Sequence, residues 1–278
     1  MFVEIRDDFS LQKISASGQC FRCRQFGDGT YRFITGGHIL YIRRTGPDRY
    51  NISCPQAEWQ GIWVPYFDLC RDYGSIRAKI RDDPFMAAAA AYGAGIRILR
   101  QDPWETLITF IIAQRKSIPA IKTSVEKLAA AYGAPLRTEY EKLHMFPEPS
   151  ALLKADESTL SSCGLGYRIP YIRNAVARIS KEPELLDSLN ALDNEALQKA
   201  LKDFKGVGEK ISSCVMLYAY GRTSCAPVDT WIMRIINKEY GGESPFPGYG
   251  DAAGILQQYA FYYAQQHKTE VMRSPESI

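Results

Sequence analysis

The 278-residue chain has few of the groups that bind metals. It contains only three histidines, at positions 38, 144 and 267, and no two lie at the short spacing of a zinc ligand pair. Its seven cysteines, at 20, 23, 54, 70, 163, 214 and 225, include one close pair, Cys20 and Cys23. A zinc site needs a second pair, and an iron–sulfur cluster needs a four-cysteine run; neither is present. The odd cysteine count, without an apolar leader in the first residues, predicts reduced thiols in a cytoplasm. Long apolar runs are also lacking. Leu107 to Ala113 falls far short of the roughly 20 residues of a membrane-spanning helix, and the acid-bearing start Met1-Phe2-Val3-Glu4-Ile5-Arg6-Asp7 does not read as a secretory signal. There is no internal repeat and no low-complexity tract. Charge of one sign is not in excess: 34 basic against 31 acidic side chains give +3, which permits a nucleic-acid partner without arguing for one.

What is present is an ordinary globular composition, 46% apolar and 23% charged, in a chain long enough for two packed layers or domains. Two textures divide it. From about residue 20 to 54, aromatic and β-branched residues alternate with charged ones, interrupted at Gly27-Asp28-Gly29, Gly36-Gly37 and Gly46-Pro47-Asp48. That pattern predicts an antiparallel meander, with the Cys20–Cys23 run inside a strand and both thiols as small, buried side chains. From about residue 84 the pattern is helical. Asp102-Pro103-Trp104-Glu105 is a strong helix start, with Asp as cap, Pro at the first helical position and Glu three residues after the cap. The helix is expected to run on through Leu107 to Lys116, and further helices at about 119–132, 156–163, 168–180, 193–203, 209–220, 230–240 and 250–266. The expected fold class is α+β: a small antiparallel β-rich N-terminal domain over 1–90, packed on a larger all-α region over 91–278.

The segment richest in chemistry runs from Leu201 to Tyr240. Lys205-Gly206-Val207-Gly208 reads as a tight turn between two helices, the second opening at Glu209. Free N–H groups at such a helix start can take a phosphate, although Gly-x-Gly alone also fits a plain helix connection. Lys210 sits in the first turn, where the helix dipole works against a cation and so toward a nucleophilic neutral amine. Asp229, in Pro227-Val228-Asp229, is placed to cap the next helix. Return to Lys210 is feasible: the helix carries the chain away by about 15–17 Å, and eight extended residues can recover about 25 Å. Convergence of these two helix starts is the expectation from which the function follows.

Lys205-Gly206-Val207-Gly208-Glu209-Lys210 followed by Pro227-Val228-Asp229 resembles the helix–hairpin–helix DNA glycosylases of base excision repair, with the hairpin at about 193–220. Ser17-Gly18-Gln19-Cys20-Phe21-Arg22, Arg100-Gln101-Asp102-Pro103, Gly164-Leu165-Gly166-Tyr167-Arg168, and Gln257 with Phe261 narrow the resemblance to the 8-oxoguanine DNA glycosylase/AP lyase family. The resemblance covers nearly the whole chain in the right order. It implies a bifunctional enzyme acting on double-stranded DNA that contains oxidised guanine, as a monomer, with no membrane. No cofactor is required and no metal is bound, apart from a possible monovalent cation at the hairpin carbonyls. Lys210 is implied as the nucleophile on C1′ of the flipped nucleotide, and Asp229 as the group that stabilises the charged sugar. Gly18 offers the carbonyl that reads the N7–H of the lesion, Cys214 and Phe261 sandwich the base, and Gln257 binds its pairing edge. Gly206, Val207 and Gly208 hold phosphate, while Arg115, Lys116, Tyr167 and Arg168 meet the DNA around the vacated space. By residue type alone, Gly18 also fits a simple turn, Cys214 and Phe261 core packing, and Tyr167 an anchor between helices.

The chain departs from the family pattern in several places. Gln114-Arg115-Lys116-Ser117 stands where an asparagine run is usual, and Ala120 where an arginine reads the opposite base, so a relaxed preference for cytosine is expected. Cys23 and Lys205 replace a usual tryptophan and proline, and Trp231 stands where some members have a phosphate-contacting histidine. The rival readings are a glycosylase of the same superfamily for another damaged base, or a non-catalytic DNA-binding protein that uses the hairpin for phosphate alone.

Overall fold

The computed structural model describes residues 1–80 and 82–267. Five antiparallel strands, β1 (Phe2–Glu4), β2 (Arg24–Gln25), β3 (Thr30–Thr35), β4 (His38–Arg44) and β5 (Arg49–Ile52), form one sheet in the order β1-β5-β4-β3-β2. β4 and β5 pair with Ile42 opposite Ile52 and Arg44 opposite Tyr50, and β1 adds to the far edge with Val3 opposite Tyr50. Most of the rest is helical, so the α+β class expected from the two textures is what the chain adopts.

The chain separates into two compact units, neither contiguous in sequence. One contains residues 1–33, 40–100 and 221–278, the other residues 34–39 and 101–220. In the first, Ile14, Phe33, Leu40, Ile42, Tyr50, Ile52, Trp63, Tyr66 and Phe67 form a core under the sheet. Phe67 is its centre, with the rings of Phe9, Phe33 and Tyr66 set edge-on at 4.9–5.1 Å. The same unit holds the helix Pro84–Gly93 and the helix Ala253–Gln266. They touch backbone to ring: a Cβ on Gly93 would come within 2.5 Å of the Tyr259 ring, so only glycine fits there. Asp83 caps the first of these helices and accepts hydrogen bonds from the hydroxyls of Tyr240 and Tyr249. Arg97, wholly buried, donates to the carbonyls of Phe67, Asp68 and Arg71 and to the Asp7 carboxylate, which binds the irregular 94–101 segment to its surroundings.

The second unit is built on the helix Pro103–Ala113, whose residues 106–112 are all buried, the mark of a central helix. It starts as its sequence predicts: Asp102 Oδ1 accepts from the Glu105 N–H at 2.7 Å. It stops three residues short of the expected end at Lys116. The guanidinium of Arg168 takes the carbonyl of Gln114, and Arg115 turns into the left-handed region at φ +51°. Two further expectations need correction. Cys20–Cys23 is a bend, and strand pairing begins only at Arg24; Cys20 is buried and Cys23 half-buried. A short hairpin, β6 (Pro135–Arg137) with β7 (Lys142–His144), lies in a stretch where no strand is predicted.

Candidate active site

The hairpin lies in the second unit, between the helices Asn194–Lys202 and Glu209–Tyr218. Its turn needs glycine at one position. Gly206 has φ +82°, and a Cβ there would come within 2.4 Å of the Tyr171 ring, whereas Gly208 faces open space. Val207 is buried beneath the turn, and its N–H donates to the Phe204 carbonyl. The Lys205 N–H is held by Asn174 Oδ1 at 2.9 Å. Glu209 binds Lys202 and Gln198 on the preceding helix, which braces the two helices against each other. Gly208 caps the second helix with extended backbone and no side-chain acceptor, so the first N–H groups of that helix carry no side-chain cap.

Lys210 occupies the first turn of this helix and is half-buried. Its Nζ lies 5.3 Å from the centroid of Phe110, and Phe110 in turn stacks on Tyr218 with rings 5.5 Å apart and 11° from parallel. Cys214, one turn on, is buried. The ring beneath the amine is a neighbour that sequence reading misses. Phe110 is one of seven consecutive buried residues, five of them apolar, and its spacing does not set it apart.

Beside the hairpin, the same unit gathers the residues expected to meet DNA around the vacated space. Tyr171, which packs on Gly206, meets Tyr167 edge to face at 6.3 Å, and the Tyr167 ring lies 4.3 Å from the Arg168 guanidinium. Tyr167 is 51% exposed. Arg168 is buried and donates to the carbonyls of Leu165 and Gln114. Lys116 likewise places its ammonium on Ser124 Oγ and the Gly164 carbonyl, both at 2.6 Å; burial, followed by the nearby charge of Arg168, lowers its pKa. Both cations therefore brace the loop, and of the two expected contacts in the 114–117 turn it is Arg115 that projects as an exposed, left-handed residue.

The first unit carries the other expected residues. Gly18 follows the helix Leu11–Ala16 with φ +79°, between Ser17 and Gln19, which are both fully buried. Gln257 and Phe261 share one face of the helix Ala253–Gln266, Gln257 buried and Phe261 half-buried. The Oε1 of Gln257 has no hydrogen-bond partner. Asp229 caps the helix Thr230–Glu239 through a single oxygen: Oδ1 accepts from the N–H groups of Trp231 and Ile232, both at 2.9 Å. That leaves Oδ2 available to another partner.

A cavity of about 320 Å³ in the second unit contains none of these residues. Asp102, Glu105, Glu148 and Asp187 line it, beside Trp104 and Ile179. Burial first, then the charges of Glu148 and Asp187, pushes the Asp102 carboxyl above its ordinary value, against the stabilising N–H of Glu105. Four acids in one cleft oppose a phosphate backbone, so this is not the nucleic-acid face. Among the described residues, no group of three or more histidine, cysteine or acidic side chains is placed to hold a metal ion, and no helix is long and apolar enough to cross a membrane.

The comparisons with known proteins give the family of the chain. Residues 2–107 match the N-terminal domain of 8-oxoguanine DNA glycosylase, and residues 108–249 match the HhH-GPD superfamily of base excision DNA repair proteins. Among solved structures, the chain is similar to MBOgg1 bound to a low-affinity DNA ligand, with a TM-score of 0.90 and 35% identity over 96% of each chain. It is also similar to the Clostridium acetobutylicum 8-oxoguanine glycosylase/lyase in complex with double-stranded DNA containing cytosine opposite 8-oxoG. There the TM-score is 0.87 and the identity 31%, over 96% of this chain and 98% of that one. A probable N-glycosylase/DNA lyase of Methanothermobacter thermautotrophicus is 30% identical over 201 residues, which is 62% of this chain. The chain spans 64% of that relative's length, and less than two thirds of the other leading curated relatives. The chain thus belongs to the HhH-GPD superfamily of base excision DNA repair proteins, and within it carries the N-terminal domain of the 8-oxoguanine DNA glycosylases.

Proposed function

We propose that this protein removes 8-oxoguanine from duplex DNA and then nicks the strand, as a monomer and with no cofactor. The glycosidic carbon is inaccessible inside the stack, so the damaged nucleotide is swung out first. The unprotonated Nζ of Lys210 attacks C1′ of the sugar, and the bond from C1′ to the base nitrogen breaks with its electron pair, expelling the oxidised guanine. The nitrogen, now a secondary ammonium, gives one proton to the departing base; the C1′–O4′ bond then breaks with its electron pair, O4′ takes up a proton from solvent, and the nitrogen becomes the protonated imine nitrogen of a Schiff base. Loss of a C2′ proton then breaks the 3′ C–O bond by β-elimination. Only a primary amine can form the imine, which is why a lysine is required. The free Oδ2 of Asp229 stabilises the positive charge developing on the sugar. The N–H groups of Gly206 and Gly208, with the uncapped N–H groups that open the helix Glu209–Tyr218, hold phosphate, and Val207 packs beneath them. Exposed Arg115 and Tyr167 enter the space left by the base, with Lys116 and Arg168 holding their loop in shape.

The observation that carries this reading is the unpaired oxygen of Gln257. A buried side-chain acceptor without a donor is uncommon and costs about 1–3 kcal/mol, which a bound base edge would recover. The lesion itself is chosen by the carbonyl of Gly18, an acceptor for the N7–H that ordinary guanine lacks. Phe261 and Cys214 are the side chains assigned to contact the flipped base. With Ala120 in place of an arginine, the opposite base is read loosely, so a panel of four opposite bases should give rates within about tenfold of one another, a spread of about 1.4 kcal/mol.

Borohydride reduction tests the nucleophile. The wild-type protein should be trapped covalently on lesion-bearing duplex, and Lys210→Gln should bind that duplex without being trapped. Strand cleavage retained by Lys210→Gln would remove Lys210 from the mechanism.

A further inference from the structure

The loop that contains Gly18 is fastened on both sides, and one fastener comes from the helix that carries Gln257 and Phe261. Gln258 Nε2 donates to the Ser17 carbonyl at 2.7 Å. Ser17 Oγ donates to the Ile14 carbonyl and accepts from Gln19 Nε2. The Gln19 amide also donates to the Arg97 carbonyl, and its Oε1 accepts from the Leu99 N–H. Ser17, Gln19 and Gln258 are all at most 1% exposed. The peptide plane before Gly18 is therefore tied to the helix Ala253–Gln266, and the residue after it is tied to the buried 94–101 segment, itself held by Arg97. Gly18 alone keeps a free choice of dihedrals, and it lies in the left-handed region.

We infer that Gln258 is a positioning residue for lesion recognition. By clamping the Ser17 carbonyl it sets the Gly18 carbonyl at a fixed distance from Gln257 and Phe261, which stand on the same helix. The inference rests on the proposed role of Gly18. Its physical basis is that a carbonyl tells N–H from a lone pair only if it cannot move. A fixed acceptor gains a hydrogen bond from the oxidised base and meets repulsion from the N7 of guanine. A mobile one retreats from guanine and also holds the lesion less well, because a hydrogen bond needs a separation of about 2.7–3.2 Å and weakens steeply when bent below about 120°. Nothing in the spacing of the sequence marks Gln258, which follows the base-edge glutamine directly and falls on a different face of the helix.

The test is Gln258→Met, which keeps the length and removes the donor. Two single-turnover reactions are compared: release of the oxidised base from duplex, and nicking of a preformed abasic site, where there is no base to read. The expected result is at least a tenfold slower release of the oxidised base and a tenfold smaller preference for it over guanine, with abasic nicking at the wild-type rate. Unchanged release and preference would overturn the role of Gln258. So would a parallel loss of both reactions, since that would make Gln258 a prop of the fold. If the wild-type protein itself fails to release the oxidised base, the proposed function is at fault.

Discussion

Asp229 divides its carboxylate between two tasks. Oδ1 caps a helix and Oδ2 is left for the sugar. Asparagine keeps the capping oxygen and loses the charge, whereas alanine loses both. Asp229→Asn should therefore leave the urea midpoint nearly unchanged yet slow base release by about 10²–10³-fold, the range for removing one preorganised electrostatic group. Asp229→Ala should add a stability loss of about 1 kcal/mol. An Asn variant that unfolds as easily as the Ala variant would contradict this division. Asp102 presents the opposite case. Its carboxyl is raised by burial, so the folded state holds the proton more tightly than the unfolded chain does. The ionised form is thus penalised in the folded state. The penalty is complete above the raised value and disappears below the ordinary carboxylate range. Asp102→Asn, which preserves the cap, should be more stable than wild type at pH 7, with the advantage vanishing toward pH 3. Denaturation at the two pH values measures this, and an advantage that grew in acid would reverse the assignment.

At the scale of elements, the caps were the legible part. Asp102-Pro103 and Asp229-Thr230 start their helices where the sequence places them, because a cap is a local bargain between one side chain and one or two N–H groups. The hairpin turn is local in the same sense. Ends set by distant residues were not legible. The 103–113 helix stops where Arg168 captures a carbonyl from more than fifty positions away. The Cys20–Cys23 run alternates like a strand, but its backbone follows the pinned Ser17–Gln19 loop and pairs only from Arg24. The ring under Lys210 and the donor behind Gly18 were illegible for the same reason. Gly206 shows how tightly one element is matched to another: its φ of +82° and the Tyr171 ring both exclude a side chain. Gly206→Ala should cost about 1–3 kcal/mol of stability from the left-handed backbone alone. Because Tyr171 must move, and Tyr167 with it, duplex binding should weaken as well. Titration with a fluorescent duplex at constant salt reads that loss, and full-affinity binding by the variant would show the contact to be dispensable.

At the scale of the whole molecule, the sheet unit is completed by residues from the far end of the chain. Gln258 reaches the Ser17 carbonyl, Tyr259 packs on Gly93, and Tyr240 and Tyr249 satisfy Asp83. A fragment ending at residue 100 contains every strand of that sheet but none of these partners. It should give the NMR spectrum of a largely unfolded chain, and adding the 221–278 segment should restore dispersion. A well-dispersed spectrum from the 1–100 fragment alone would show that the sheet is self-sufficient. No alternation or periodicity could announce this arrangement, because it depends on pairs of residues up to 241 positions apart.

The same interleaving sets an order of events on the ribosome. Chains emerge from their beginning, at about 5–20 residues per second. Residues 1–100 are made before Tyr240, Tyr249, Gln258 and Tyr259, which supply their partners. The middle section, nearly continuous in sequence, has its partners at hand almost as soon as it is made. The strands over residues 2–52 thus spend about 10–40 seconds without Gln258, a window in which a chaperone would find them.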